Sequence, residues 1–182
     1  MNEILIATAS QTVGPFFHIA GNMDVACVAA PNAPGEHIRL TCRVFDGDGV
    51  PIPDALIELW QADCRGIYGD PAFGGFGRLA SDENGVCVFE TVRPGRVAGP
   101  DSDPHAKTQA PHINLIVFAR GLLKHLYTRI YFAGDPANEH DAILAMIPAE
   151  RRATLIAQAA ALDAWNFEIH LCGGRETVFF DI

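Results

Sequence analysis

The stretch from Asp46-Gly-Asp-Gly-Val-Pro-Ile-Pro-Asp54 through Ala55-Leu-Ile-Glu-Leu-Trp-Gln-Ala-Asp63 to Gly66-Ile-Tyr68 is the part of this chain that points most directly to chemistry. It reads as a strand end, a Gly/Pro turn, a second strand and a loop that carries a tyrosine. The other reactive residue types lack such a frame. Five cysteines (Cys27, Cys42, Cys64, Cys87, Cys172) have no C-x-x-C spacing, which argues against a disulfide framework or a zinc site and for apolar fillers in a reducing cytoplasm. His18, His37, His105, His125, His140 and His170 show no ligand spacing and are expected at surface or capping positions. The chain has no P-loop, dinucleotide fingerprint, nucleophile elbow or H-E-x-x-H, and Gly74-Gly-Phe-Gly77 lacks the strand–helix context of a phosphate loop. The net charge of −9 excludes a phosphate-backbone partner. It also means that an anionic substrate would need a local cation placed in its pocket.

The elements that must position these residues are mostly strands. In His37–Phe45, Ile38, Leu40, Cys42 and Val44 alternate with His37, Arg39, Thr41 and Arg43, the period of a strand with one solvated face. Further strands are expected at 55–62, 86–92, 113–119, 126–132, 165–171 and 177–182. On the strand 126–132, Leu126, Thr128, Ile130 and Phe132 share one face, and Tyr127, Arg129 and Tyr131 the other. Residues 69–77 and 93–111 are read as loops, the second long enough to be functional or mobile. A short helix is expected near residues 137–147, and propensity alone favours helix again at 151–162. Residues 1–36 lack periodicity and are read as an extended N-terminal arm that wraps the domain or reaches a partner. The chain is thus expected to be mostly β: one β-sandwich domain over residues 37–182, with long loops and that arm. At 182 residues it can bury one substantial core, and no apolar run approaches the ~20 residues of a membrane span.

Trp60-Gln-Ala-Asp63, Gly66-Ile-Tyr68, Phe73-Gly-Gly-Phe-Gly-Arg78, Val92-Arg-Pro-Gly95 and Pro111-His-Ile-Asn114 resemble, in this order, the signature segments of intradiol ring-cleavage dioxygenases. Gln11-Thr-Val-Gly-Pro-Phe16, Ala119-Arg-Gly-Leu-Leu123 and Thr128-Arg-Ile-Tyr-Phe132 resemble the α chain of the family's two-subunit members, which cleave protocatechuate with O2 to 3-carboxy-cis,cis-muconate. The resemblance covers nearly the whole chain. It replaces the helix expected at 151–162 by a strand near 152–159.

The resemblance implies a ferric ion held by two tyrosines and two histidines, hard phenolates that keep the metal oxidised and neutral imidazoles that complete the site. The four ligand positions here are Tyr68, Val97, His112 and Asn114. Two of the four donors are lost, so no iron is expected in this chain's own vestigial pocket. Tyr68 and His112 are then expected to be plain hydrogen-bonded residues, a tyrosine under a loop and a histidine at a strand end. The resemblance further implies that Fe(III) is held by a homologous β subunit in an αβ protomer, itself part of a higher oligomer. In it, Thr12, Gly14, Pro15 and Phe16 of this chain would line the substrate entrance. Arg129 is the candidate for the local cation, facing the substrate carboxylate. The alternative for Arg129 is a cross-strand ion pair on an exposed face. For the whole chain the alternatives are a non-enzymatic β-sandwich scaffold and a self-sufficient dioxygenase with an unusual site.

Overall fold

The computed structural model describes residues 24–99 and 108–181. Eight strands are found among them: β1 (His37–Phe45), β2 (Leu56–Gln61), β3 (Phe76–Ala80), β4 (Val86–Val92), β5 (His112–Phe118), β6 (Leu126–Phe132), β7 (Ile156–Ala161) and β8 (Ala164–His170). They form one sheet in the order β3-β2-β5-β6-β7-β8-β1-β4. The sheet folds over at β6 and β7, which are joined only where Tyr131 and Phe132 run parallel to Ile156 and Ala157. The two halves thus stack as a sandwich that is nearly closed into a barrel.

The alternation in β1 does what the sequence pattern requires. Ile38, Leu40, Cys42 and Val44 are buried, and so are Ile57, Leu59, Ile113, Leu115, Val117, Ile130 and Phe132 from the opposing half. Burial of each such aliphatic side chain contributes roughly 2 kcal/mol. A second cluster of Ala110, Tyr131, Ala137, Leu144 and Leu155 lies on the other face of β6, so that strand is apolar on one side and amphipathic on the other.

Three differences from the sequence reading have physical causes. The helix expected near 137–147 is split into a 3-10 turn (Pro136–His140) and a short α1 (Ala142–Met146). Asp141 separates them in extended backbone and caps α1, its carboxylate accepting from Ile143 and Leu144 N–H. Residues 177–182 are not a ladder strand within the described range. Only Phe180 bridges, to Tyr127, while Val178 is tied down by the hydroxyls of Thr128 and Thr154. The segment read as loop over 69–77 ends in a strand, β3, hidden from the pattern by Gly77. At 151–162 the resemblance prevails over propensity: a 3-10 turn at Arg152–Leu155 leads into β7, because pairing with β8 rewards extended backbone.

Residues 25–28 seal the seam between the edge strands β3 and β4. Val25 pairs with Arg78 of β3, while Val28 N–H donates to Glu90 of β4 and Glu90 N–H donates to Ala26. This close approach needs Gly77, where an added Cβ would lie 2.7 Å from Val28 Cγ2 and 3.0 Å from the Phe89 ring. A Gly77→Val substitution is therefore expected to cost about 3 kcal/mol, read as a lowered denaturation midpoint. Protease cleavage near residue 25 should rise with it.

Candidate active site and its vestigial ligand positions

Two loops place the first two ligand positions side by side. The first, from Asp63 to Tyr68, is wound around the Asp63 carboxylate, which accepts from Arg65 N–H and Ile67 N–H, both at 2.9 Å, and from the Arg65 side chain. Burial works against the charge of Asp63, but the Ile67 and Arg65 donors more than offset it and hold its pKa below the usual carboxylate value. The second loop, Pro94 to Val97, lies on the first: Gly95 N–H donates to Asp63 C=O at 2.9 Å. Contact is so close that a Cβ on Gly66, whose φ is +82°, would lie 1.9 Å from Arg96 C=O. A Gly66→Ala substitution is expected to destabilise the protein by roughly 3–4 kcal/mol, measurable as a fall in Tm, and to loosen Tyr68 enough to raise its fluorescence quenching by solvent.

The other two positions come from β5. His112 is 1% exposed. Its Nδ1 donates to Ala110 C=O at 2.8 Å, so Nε2 is the bare nitrogen and accepts from the Tyr68 hydroxyl at 3.2 Å. Asn114 Nδ2 donates to the Tyr68 oxygen at 2.8 Å and to Trp60 C=O at 3.2 Å, and its Oδ1 accepts from the Tyr127 hydroxyl at 2.5 Å. Tyr68 also stacks on Trp60, ring centres 6.1 Å apart. Val97 is buried, 8% exposed, and is held to Gln109 by a backbone bridge. The structure thus brings Tyr68, Val97, His112 and Asn114 together and connects the three polar ones in a one-way relay, Tyr127 to Asn114 to Tyr68 to His112.

The relay is electrically neutral. Burial pushes the Tyr68 phenol up and outweighs the opposing pull of the Asn114 amide and the Arg129 charge, so the phenol keeps its proton. Burial and the Arg129 charge lower His112 from 6.5 to about 4. A histidine neutral in the folded state and basic in the unfolded one binds protons on unfolding. Its stabilising neutrality is thus fully present above pH 6.5 and is lost as pH falls toward 4. The His112 ring should titrate near 4 by NMR, and a His112→Gln substitution should remove the acid-side loss of stability in that window.

The donor set does not fit ferric iron. Valine offers no donor, the Asn114 amide is engaged at both ends, and a phenol and an imidazole alone make half a site.

Arg129 lies on β6 directly across from Asn114. Its Nη1 donates to Gln109 Oε1 at 2.7 Å, and the phenols of Tyr127 and Tyr131 lie beside it. Tyr131 in turn donates to Asp141, whose other oxygen accepts from Ala110 N–H at 2.8 Å. The cross-strand ion pair weighed for Arg129 is not formed with any described residue. Thr12, Gly14, Pro15 and Phe16 lie outside the described residues. Sequence reading missed Gln109, Tyr127 and Asp141 as parts of this site. Tyr127 was on the correct strand face, Asp141 had the signal of a helix cap, and Gln109 sits in a segment with no periodicity. His170, expected at the surface, is buried and stacks on Phe45, with ring centres 4.9 Å apart.

A dioxygenase family matches residues 13–172 of the chain. The chain belongs to the intradiol dioxygenases. Members of this family are iron enzymes. The protocatechuate 3,4-dioxygenase alpha chain of Pseudomonas putida is 41% identical over 201 residues, spanning 98% of this chain and 98% of its own length. That of Burkholderia cepacia is 39% identical over 199 residues, spanning 96% and 97%. The beta chain from Burkholderia cepacia is 32% identical over 161 residues, 82% of this chain and 66% of its own length. Among solved structures, the dioxygenase domain of a carbohydrate-binding fusion protein from Streptomyces sp. SirexAA-E shares the fold, with a TM-score of 0.67 at 24% identity over 83% of this chain and 89% of that one. This intradiol dioxygenase chain has its five cysteines as free thiols and, among its described residues, no helix long and apolar enough to cross a membrane.

Proposed function

We propose that this chain is the α subunit of a cytoplasmic protocatechuate 3,4-dioxygenase, an enzyme that opens protocatechuate with O2 to 3-carboxy-cis,cis-muconate. The observation that carries the reading is a family member, similar along its whole length to α chains, whose four ligand positions hold a phenol, a valine, an imidazole and an amide. Such a set cannot supply the family's ferric chemistry, so the iron belongs to a homologous β subunit in an αβ protomer that assembles further. The similarity of this chain to both α and β chains supports two related folds packed against each other.

In this division of labour the chain supplies shape, charge and exclusion of water. Thr12, Gly14, Pro15 and Phe16 line the substrate entrance of the partner's pocket. A Gly-Pro pair such as Gly14-Pro15 suits that role, because glycine has no side chain to hold a flat aromatic ring away and proline restricts the backbone. Arg129 provides the cation that an acidic protein needs in order to receive a carboxylate.

The test is iron content and oxygen uptake with protocatechuate, for this chain purified alone and co-expressed with the β chain. The chain alone should be colourless, with less than about a tenth of an iron per chain and no uptake. The complex should be coloured and active. Stoichiometric iron with turnover in the lone chain would sink the assignment of the metal to the partner. Inactivity of the complex would favour a scaffold.

A further inference from the structure

Arg129 is held unlike Arg78 and Arg93, two other half-buried arginines of the sandwich, and is closer to Arg151, which donates to the Glu176 carbonyl. Arg78 pairs with Glu58 and lies over the Phe76 ring. Arg93 pairs with Asp135 at 2.8 Å and lies over Phe132 and Trp165. In both, a carboxylate cancels the guanidinium charge. Arg129 instead donates to a neutral amide, Gln109 Oε1, at 2.7 Å. Tyr131 and Tyr127, which flank it, are also neutral donors and acceptors. Asp141, the carboxylate felt at Tyr131 and His112, is already committed. Its Oδ1 accepts from Tyr131, Ile143 and Leu144, and its Oδ2 from Ala110.

Gln109 is itself fixed. Its N–H donates to Val97 C=O at 2.7 Å, and Val97 N–H donates back at 3.2 Å. The segment that carries a valine at a ligand position therefore also pins the amide that orients Arg129. An amide in this place gives geometric control at little electrostatic cost: with the Tyr127 and Tyr131 phenols it orients the guanidinium fork through neutral partners and leaves the charge itself uncancelled by any described carboxylate.

We propose that Gln109 is a positioning and specificity-determining residue: its amide aims the Arg129 guanidinium and leaves it uncompensated by any carboxylate among the described residues, so that the assembled enzyme prefers a catechol bearing a carboxylate over a neutral catechol. This rests on the reading that Arg129 faces the substrate in the αβ complex. A carboxylate at position 109 would form the internal ion pair that Arg78 and Arg93 have, and would take the guanidinium away from the substrate.

The experiment uses the complex co-expressed with the β chain and two probes, protocatechuate and the neutral 4-methylcatechol. Gln109→Glu should raise the KM for protocatechuate about tenfold more than that for 4-methylcatechol, with the change in KM and not in kcat. Gln109→Met, which keeps the volume and removes the acceptor, should raise the protocatechuate KM by a smaller factor, about threefold, because the charge stays but its aim is lost. Arg129→Met separates the proposal from the reading beneath it. If Arg129→Met shifts the preference between the two probes and Gln109→Glu does not, Gln109 has no such role and Arg129 stands. If Arg129→Met shifts nothing, both fall. A loss of kcat on both probes in the two Gln109 variants, with KM unmoved, would mean a structural residue and would also overturn the proposal.

Discussion

One cross-strand row organises the site: Phe76 of β3, Trp60 of β2, Asn114 of β5 and Arg129 of β6 stand opposite one another in register. Side chains in a sheet alternate with a period of two, so a slip of one residue at any of these ladders would turn its member of the row into the core. The register is held by the apolar residues on the opposite face. Ile57, Leu59, Ile113, Leu115, Ile130 and Phe132 are all fully buried, and no slipped pairing could keep them so. The core therefore aims the polar face, although it touches none of the chemistry.

Onto that row two loops add Tyr68 and Val97, and their placement depends on backbone contact that side chains would forbid. The cluster at these positions is hydrogen-bonded throughout. The remaining phenol, imidazole and amide satisfy one another, which matters because an unpaired buried donor or acceptor costs about 1–3 kcal/mol. His112 is kept neutral by the burial and the neighbouring positive charge that would disfavour its protonation. The result is a closed, uncharged cluster next to one half-buried charge, Arg129. In a protein with a net charge of −9, that local cation stands against the global field.

The same economy bears on the place of this chain in its family. A fold that keeps its register and its loops can hold hydrogen-bonding side chains at these positions at modest cost, since Asn114 projects from the row and Tyr68 from a loop laid on it. What the chain presents there is a packed surface with a defined charge. The sandwich is common to the family, while the chemistry is decided by a few positions upon it.

The sequence by itself determined the strands with clear alternation, His37–Phe45, Val86–Val92 and Leu126–Phe132, because a period of two is a local property that needs no knowledge of the partner strand. It determined equally that Val97 offers no donor to a metal, since side-chain chemistry is carried by the residue alone. Only the tertiary structure decided what the survivors do. Trp60, Asn114 and Arg129 become neighbours through ladders between residues more than ten positions apart, and Gln109 meets Arg129 from a loop with no pattern to read. β3 was concealed by a glycine that is there for the close approach of Val28 and Phe89, and the helix at 137–147 was divided by an aspartate whose cap serves Tyr131 and Ala110 as well. These were decided by contacts distant along the chain, which local propensity cannot register.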